Sequence, residues 1–449
     1  MFQKQIIRLR SQFSGGLFIS CFMLIFATTA VANQDELFIH SDQLDIKQLI
    51  QAVLTRNPTI EAMQSAWKAA ESRIDQVTAL DDPVLSYSFA PETLNQSNQD
   101  FGQKIQLSQK IPWPGKLALR GDSARFESRA HKESIELVRQ KLIETTARTF
   151  SDWYYIHEAQ RINRVNQGLW REFHAIAELK YSTGRVSKQD VLRAEVEQAM
   201  LEHQSIVLQR KQHNILARLN TLLNRIPDSV IPSPAALPMV RLLPSVEQLR
   251  VMALETHPGL KVLTARLRAS EVRVKSARRD FYPDFKIIAG YNSLWNQNEK
   301  RFTVGVGINI PLSQINRKAK VSEYRAKTLQ LKWRIKDKQA VIAGNVQRGY
   351  NNVNEIRHIL KLYRNKLLPL AEDNLHAAKA DYQSGKGSFL DLVSAEKNLV
   401  QTRLNNVQAL TDYHRHLAML ARHVGNPDLL YGNFNIPSHS DDVIKGELQ

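Results

Sequence analysis

Cysteine is all but missing from this chain, with Cys21 the single residue of its kind. That excludes disulfide stapling and thiolate metal sites. Much of the apolar run Leu17–Ala27 follows Cys21 rather than preceding it, which makes it a poor match to a lipoprotein processing site. Long hydrophobic stretches are missing as well. Beyond the N-terminal region none approaches the roughly 20 apolar residues that a membrane helix needs. If the chain enters a membrane, it must do so as strands. Proline is absent from Gly115 to Tyr181, and again from Ile315 until Pro369. Very long helices are therefore permitted over both stretches.

Acidic residues are in deficit, 44 Asp and Glu against 61 Lys and Arg, for a net charge of +17. Residues 1–32 contribute Lys4, Arg8 and Arg10, then the apolar run, then Ala30-Val31-Ala32. This order predicts a signal peptide cleaved after Ala32, because the apolar core is too short for a comfortable membrane anchor. Removing the three basic residues leaves +14. A basic balance can mean nucleic acid. Here the Lys and Arg are spread along helices in company with Glu, and an exported protein meets little nucleic acid. A solvated or channel-lining set of charges fits better, with no nucleic-acid partner.

What the chain does contain is written twice. "YSTGRVSKQD" (Tyr181–Asp190) returns as "YQSGKGSFLD" (Tyr382–Asp391). Pro58 aligns with Pro258, Pro83 with Pro283, Pro112 with Pro311, and Gly184 with Gly385. The offset stays within one residue of 200, which marks a duplication. The expected organisation is a signal peptide (1–32), a first repeat (33–224) and a Pro-rich linker (225–244). A second repeat (245–425) and a polar tail (426–449) complete it. Each repeat should hold a short helix ending before Asn57-Pro58 or His257-Pro258, then a helix ending near Leu80 or Phe281. Two strands, a very long helix, the Tyr-x-x-Gly turn and a long return helix follow.

The strands alternate with period two. Phe302, Val304, Val306 and Ile308 interleave with Thr303, Gly305 and Gly307. Ile105, Leu107 and Ile111 interleave with Lys104, Gln106, Ser108 and Lys110. Such a strand is wet on one side, as in a half-buried sheet over a soluble core or in a membrane barrel. A signal peptide and strands of about 7–11 residues favour the membrane. Four strands cannot close a barrel, and open edges are not tolerated in hydrocarbon. Several copies would therefore have to pool their strands. The long helices carry thin apolar stripes, among them Ile135, Val138, Leu142, Phe150 and Trp153. These fit coiled-coil packing with one side left wet. A soluble periplasmic coiled-coil scaffold is the contrasting reading. No nucleophile–base set, phosphate loop or metal motif stands out, so neither catalysis nor a cofactor is expected. His414 and His416 are two apart on a helix and point to different faces, so both are expected at the surface.

The signal peptide, the two repeats, the paired "Tyr-x-x-Gly…Asp-Val/Leu-x-x-Ala-Glu" turns and the Ile-Pro strand ends (Pro112, Pro311) together resemble the TolC family of outer-membrane efflux channels. The likeness runs from about Leu44 to Gly425, and "QKIPWPGKL" (Gln109–Leu117) is most similar to its heavy-metal efflux branch. The resemblance implies a mostly α fold with a small β part. Long helical hairpins would form a trimeric α-barrel through the periplasm, and four strands per chain would join a shared twelve-stranded β-barrel in outer-membrane lipid. It also implies a periplasmic adaptor and an inner-membrane pump of the resistance–nodulation–division type. The cargo would be small toxic compounds or metal cations, with type I polypeptide secretion as the rival.

In that arrangement the two turns lie at the periplasmic tip. Gly184 and Gly385 would take positive φ. Tyr181 and Tyr382 would pack one turn before, and Ser187 and Ser388 would cap the return helices. Exposed Arg185, Val186, Lys386 and Gly387, with the two turn glycines, would meet the adaptor. By family likeness Asp391 would join a ring that narrows the tunnel mouth. Ser394 stands where the family often has a second acid, and Asp190 is the first-repeat counterpart.

Overall fold

The computed structural model describes residues 38, 42–95, 101–239, 243–295 and 297–430. The expected signal peptide with Cys21, the hairpin residue Asn296 and most of the polar tail lie outside the described residues. The first half comprises Gln43–Leu44 (β1), Ile46–Arg56 (α1), Pro58–Thr78 (α2), Val84–Phe89 (β2), Gln103–Ile111 (β3), Lys116–Ser182 (α3) and Lys188–Leu222 (α4). After Ser233–Pro234 (β4) come Val246–Thr256 (α5), Pro258–Arg279 (α6), Phe285–Asn292 (β5), Phe302–Ile308 (β6), Gln314–Leu362 (α7), Leu368–Ser384 (α8) and Phe389–Val424 (α9).

The short helices end where proline demands it, since the residue before proline favours extended backbone. Asn57 (ψ 119°) and His257 (ψ 118°) both obey, and each also caps the helix that follows. Asn57 accepts from the Thr59 N–H at 3.0 Å, and the His257 Nδ1 accepts from the Gly259 N–H at 3.0 Å.

β2, β3, β5 and β6 form one antiparallel four-stranded sheet in that order. Leu85, Leu107, Ala289 and Val304 stand in one cross-strand row, and Tyr87, Ile105, Tyr291 and Phe302 in the next. The apolar face is therefore continuous across the sheet, with Lys104, Lys286, Gly305 and Gly307 on the other. No core among the described residues covers that face: Val304 is 84% and Phe302 76% exposed. A sheet half-buried on a soluble core is thereby excluded. β2 and β6 are the outer strands and carry no further strand partner among the described residues.

At the root of the sheet Asp284 gathers the junction. Its carboxylate accepts from Lys116 Nζ at 2.7 Å and from the Trp113 N–H at 3.0 Å. Burial alone would raise its pKa, but these bonds and the Lys116 charge hold it low. Trp113 stacks on Tyr282 and Phe285, with ring centres 5.3 and 5.5 Å away. The "WPGK" that follows β3 thus clamps the first repeat to the second.

α3 runs unbroken for 67 residues, about 100 Å at about 1.5 Å per residue. Its counterpart differs from the expected single rod over Ile315–Tyr382. Pro369 offers no N–H to the carbonyl four residues earlier, and a π turn at Tyr363–Leu367 separates α7 from α8.

The main core sits around the middle of the long helices, where Leu44, Leu49, Phe150, Trp153, Leu219 and Tyr413 are buried together. The Pro-rich stretch helps to close it. β4 pairs in parallel with β1, and the Trp153 Nε1 donates to the Pro232 carbonyl at 3.0 Å. His414 also belongs here. It is 4% exposed rather than at the surface as expected, and burial lowers its pKa to about 4. The reason lies in its helix face, shared with Leu410, Leu417 and Ala418 in the same core.

Candidate functional site

The two turns share one backbone. α3 and α8 each finish with a glycine in the left-handed region, Gly184 at φ 72° and Gly385 at φ 82°. The Gly184 N–H reaches the Tyr181 carbonyl and the Arg185 N–H the Lys180 carbonyl, both at 2.9 Å. The Gly385 N–H reaches Tyr382 at 3.2 Å and the Lys386 N–H reaches Asp381 at 2.9 Å. Both are Schellman closures, which satisfy carbonyls that a helix end leaves open.

The side chains are not alike. Tyr382 is 2% exposed, whereas Tyr181 is 45% exposed and does not pack as expected. Tyr382 lies against Phe389 at 5.3 Å, and Phe389 meets Trp170 edge-on at 6.3 Å. Lys180, from the first turn, sits 4.5 Å over the Tyr382 ring and donates to its carbonyl. Burial and the nearby Asp190 charge push the Tyr382 hydroxyl up to about 12. Asp190 is itself raised by burial, against the opposing pull of Arg193.

The caps differ too. Ser388 and Asp391 form a reciprocal capping box. Ser388 Oγ accepts from the Asp391 N–H at 3.1 Å, and Asp391 Oδ2 accepts from the Ser388 N–H at 3.2 Å and hydroxyl at 2.7 Å. Those bonds lower the Asp391 pKa, with burial acting slightly the other way. Ser187, expected to cap α4, makes no side-chain cap bond. Ser394 bonds back to the Leu390 carbonyl at 2.8 Å.

Among the six turn residues expected to face outward, Gly184, Arg185, Gly385 and Lys386 are exposed. Val186 is instead half-buried against the tip core of Trp170, Phe173 and Leu392. Gly387 is half-buried as well, and a Cβ there would meet the Asp381 Cβ at 2.9 Å. An apolar or small residue in a turn gives no sign in sequence of what lies beneath it.

Sequence reasoning also passed over Glu396, which closes the second repeated motif. It is 1% exposed, with hydrogen bonds from Asn166 and Trp170, and burial raises its pKa. Its repeat counterpart Glu195 is exposed and lies 3.5 Å from His174. The Ser-x-x-Asp of the capping box was legible, being a known helix-start pattern. The depth of Glu396 was not.

Ion pairs then tie the tip helices together, Lys379 to Glu172 at 2.7 Å and Lys397 to Glu197 at 2.5 Å. Among the described residues no group of His, Cys, Asp and Glu is placed to hold a metal.

Known proteins share this architecture. The solved outer-membrane channel OprN superposes with a TM-score of 0.73 at 18% identity, over 85% of this chain and 90% of that one. CusC, described for its folding and transmembrane channel formation, gives 0.73 at 17% identity over 85% and 92%. The cobalt-zinc-cadmium resistance protein CzcC of Cupriavidus metallidurans is 23% identical over 71% of this chain and 76% of its own. The model of the family described as outer membrane efflux protein matches residues 49–225 and again 249–426. Matched through both halves, this chain belongs to the outer membrane efflux protein family and is a TolC-like efflux channel of the outer membrane.

Proposed function

We propose that the chain is the outer-membrane duct of a tripartite efflux system and works as a homotrimer. Three four-stranded sheets join edge to edge into a twelve-stranded barrel in outer-membrane lipid, and the long helices continue it as an α-barrel through the periplasm. The observation that carries this reading is the sheet with an exposed apolar face and two bare edges. Water suits neither feature, and lipid suits the face only if copies of the chain pair the edges. On α4, Leu192, Val196 and Met200 form an exposed apolar stripe at helical spacing, fit for a neighbouring copy.

The duct is passive, not an enzyme. An inner-membrane pump, of the resistance–nodulation–division type, loads it through a periplasmic adaptor with small toxic compounds or metal cations. CzcC, a metal-resistance protein, supports the metal branch. The adaptor meets the tip at Gly184, Arg185, Gly385 and Lys386, with Val186 and Gly387 shaping the turns from beneath. Asp391 narrows the mouth, assisted by Ser394 and Asp190. Threefold symmetry sets like charges near one axis, which draws cations.

Purified from detergent-extracted membranes, the protein should have the mass of three chains and form pores in planar bilayers. Recovery as a soluble monomer without detergent overturns the reading. Asp391→Ala should change conductance and relieve block by divalent cations. Unchanged conductance and block would remove Asp391 from the aperture.

A further inference from the structure

α2 packs on α3, α3 on α6 and α6 on α7, so the four helices form one layer. A trough of about 680 Å³ lies on this layer and takes residues from all four helices. Its floor is made of small and apolar side chains, Ala66, Ala70, Val77, Leu119 and Ala124. Arg73, Arg120, Arg273 and Lys320 stand around that floor, one from each helix.

The bland reading is a set of solvated basic residues, each neutralised by an i,i+4 neighbour. The ion pairs do not support it for every member. Arg273 pairs with Glu127 at 3.1 Å, which uses the trough's only lining carboxylate, and Lys320 pairs with Asp280 at 2.7 Å. Arg73 and Arg120 have no carboxylate partner among the described residues. The tip lysines Lys379 and Lys397, by contrast, are both paired. Two unpaired guanidinium groups therefore line one trough together with alanines, and a cleft bordered by charge of one sign focuses potential.

We infer that this trough is a transit site for small organic anions, carboxylates or sulfonates with an apolar body. The body lies on the Ala66–Ala70 floor, and the acid group takes the planar forks of Arg73 and Arg120. The inference rests on the duct reading above, because only there would this face of the layer border the tunnel. It narrows the cargo within that reading, since a free metal cation gains nothing at this level.

The test uses the full-length protein in planar bilayers, with 2-naphthalenesulfonate and the matched cation 2-naphthyltrimethylammonium as blockers. The sulfonate should block the wild type at about a tenfold lower concentration than the cation. In the Arg73→Gln/Arg120→Gln variant its half-blocking concentration should rise about tenfold, and the reversal potential in a KCl gradient should move toward potassium. Arg73→Lys/Arg120→Lys should retain the reversal potential and lose part of the sulfonate block, as the fork is lost and the charge kept. Equal block by both compounds, or block unchanged in the Gln variant, overturns the anion site while leaving the duct standing. Absence of any pore overturns the duct reading, and the site with it.

Discussion

The two halves of the chain repeat the same helix caps and turns, yet corresponding positions do different physical work. Where the first half caps α2 with Asn57, the second caps α6 with His257. Where the first turn leaves Tyr181 in water, the second buries Tyr382 beneath Lys180. Ser187 caps nothing with its side chain, and Ser388 closes a box with Asp391. Duplication conserved the backbone reversals, while the tip core, built from both copies, buries the turn tyrosine of one only. A shared motif therefore predicts shared φ and ψ far better than shared burial.

The largest test of that asymmetry is truncation of the two tyrosines. Tyr382→Ala should cost about 3–5 kcal/mol, as for other large buried aromatics, and Tyr181→Ala less than about 0.5 kcal/mol. Thermal melts of the detergent-solubilised protein compare them, and equal losses would mean that both turns are packed. Tyr382→Phe should be neutral or stabilising, because the hydroxyl has no hydrogen-bond partner among the described residues.

Acid should separate the two helix caps. His257 must be neutral to accept from the Gly259 N–H, and burial first, then Lys338, His423 and Arg422, lowers its pKa to about 4. Between its unfolded value near 6.5 and that folded value the unfolded chain binds the extra proton, so stability falls as pH drops through this window. The full loss is about 3 kcal/mol. His257→Asn, which copies the first repeat, should flatten denaturant midpoints between pH 6.5 and 4. An unchanged pH slope would assign the lability elsewhere, with buried His414 the next group to vary.

Gly184→Ala and Gly385→Ala should each cost about 1–2 kcal/mol, since both glycines have positive φ. A Cβ added at either would meet nothing beyond its chain neighbours within 4 Å, so the two penalties should match. A gap between them would show that the backbones are not equivalent after all. Smallest is the cap: Ser388→Ala should cost about 1 kcal/mol and Ser187→Ala close to nothing. Asp391 sharpens this through pH. Its lowered pKa means that the box contributes fully above the unfolded carboxylate value and is lost as pH falls through the folded one. The Ser388→Ala penalty should therefore shrink in acid.

Much of this was legible in the residues. Helix ends before Pro58 and Pro258, the alternating strands and the positive-φ glycines all follow from local rules that act within a few residues. The π turn before Pro369 was half legible, because proline announces a break without saying how the helix absorbs it. Burial of Glu396 and His414 was not legible. It depends on which face of a long helix meets another, and a thin apolar stripe over 67 residues fixes that face weakly. The trough was invisible for the same reason. Arg73 and Arg273 lie 200 positions apart in sequence and line one trough only because α2, α3, α6 and α7 lie side by side.

The bare edges of the sheet bear on how the chain is made. Helical hairpins draw on neighbours in sequence and form quickly, whereas in the proposed trimer the sheet closes only when other copies arrive. Its completion rate must then rise steeply with local concentration, and each waiting copy offers two adhesive strands to any extended peptide nearby. Synthesis that outpaces delivery to the membrane would turn the same edges toward aggregation, so expression level should be matched to the supply of periplasmic chaperones that cover them.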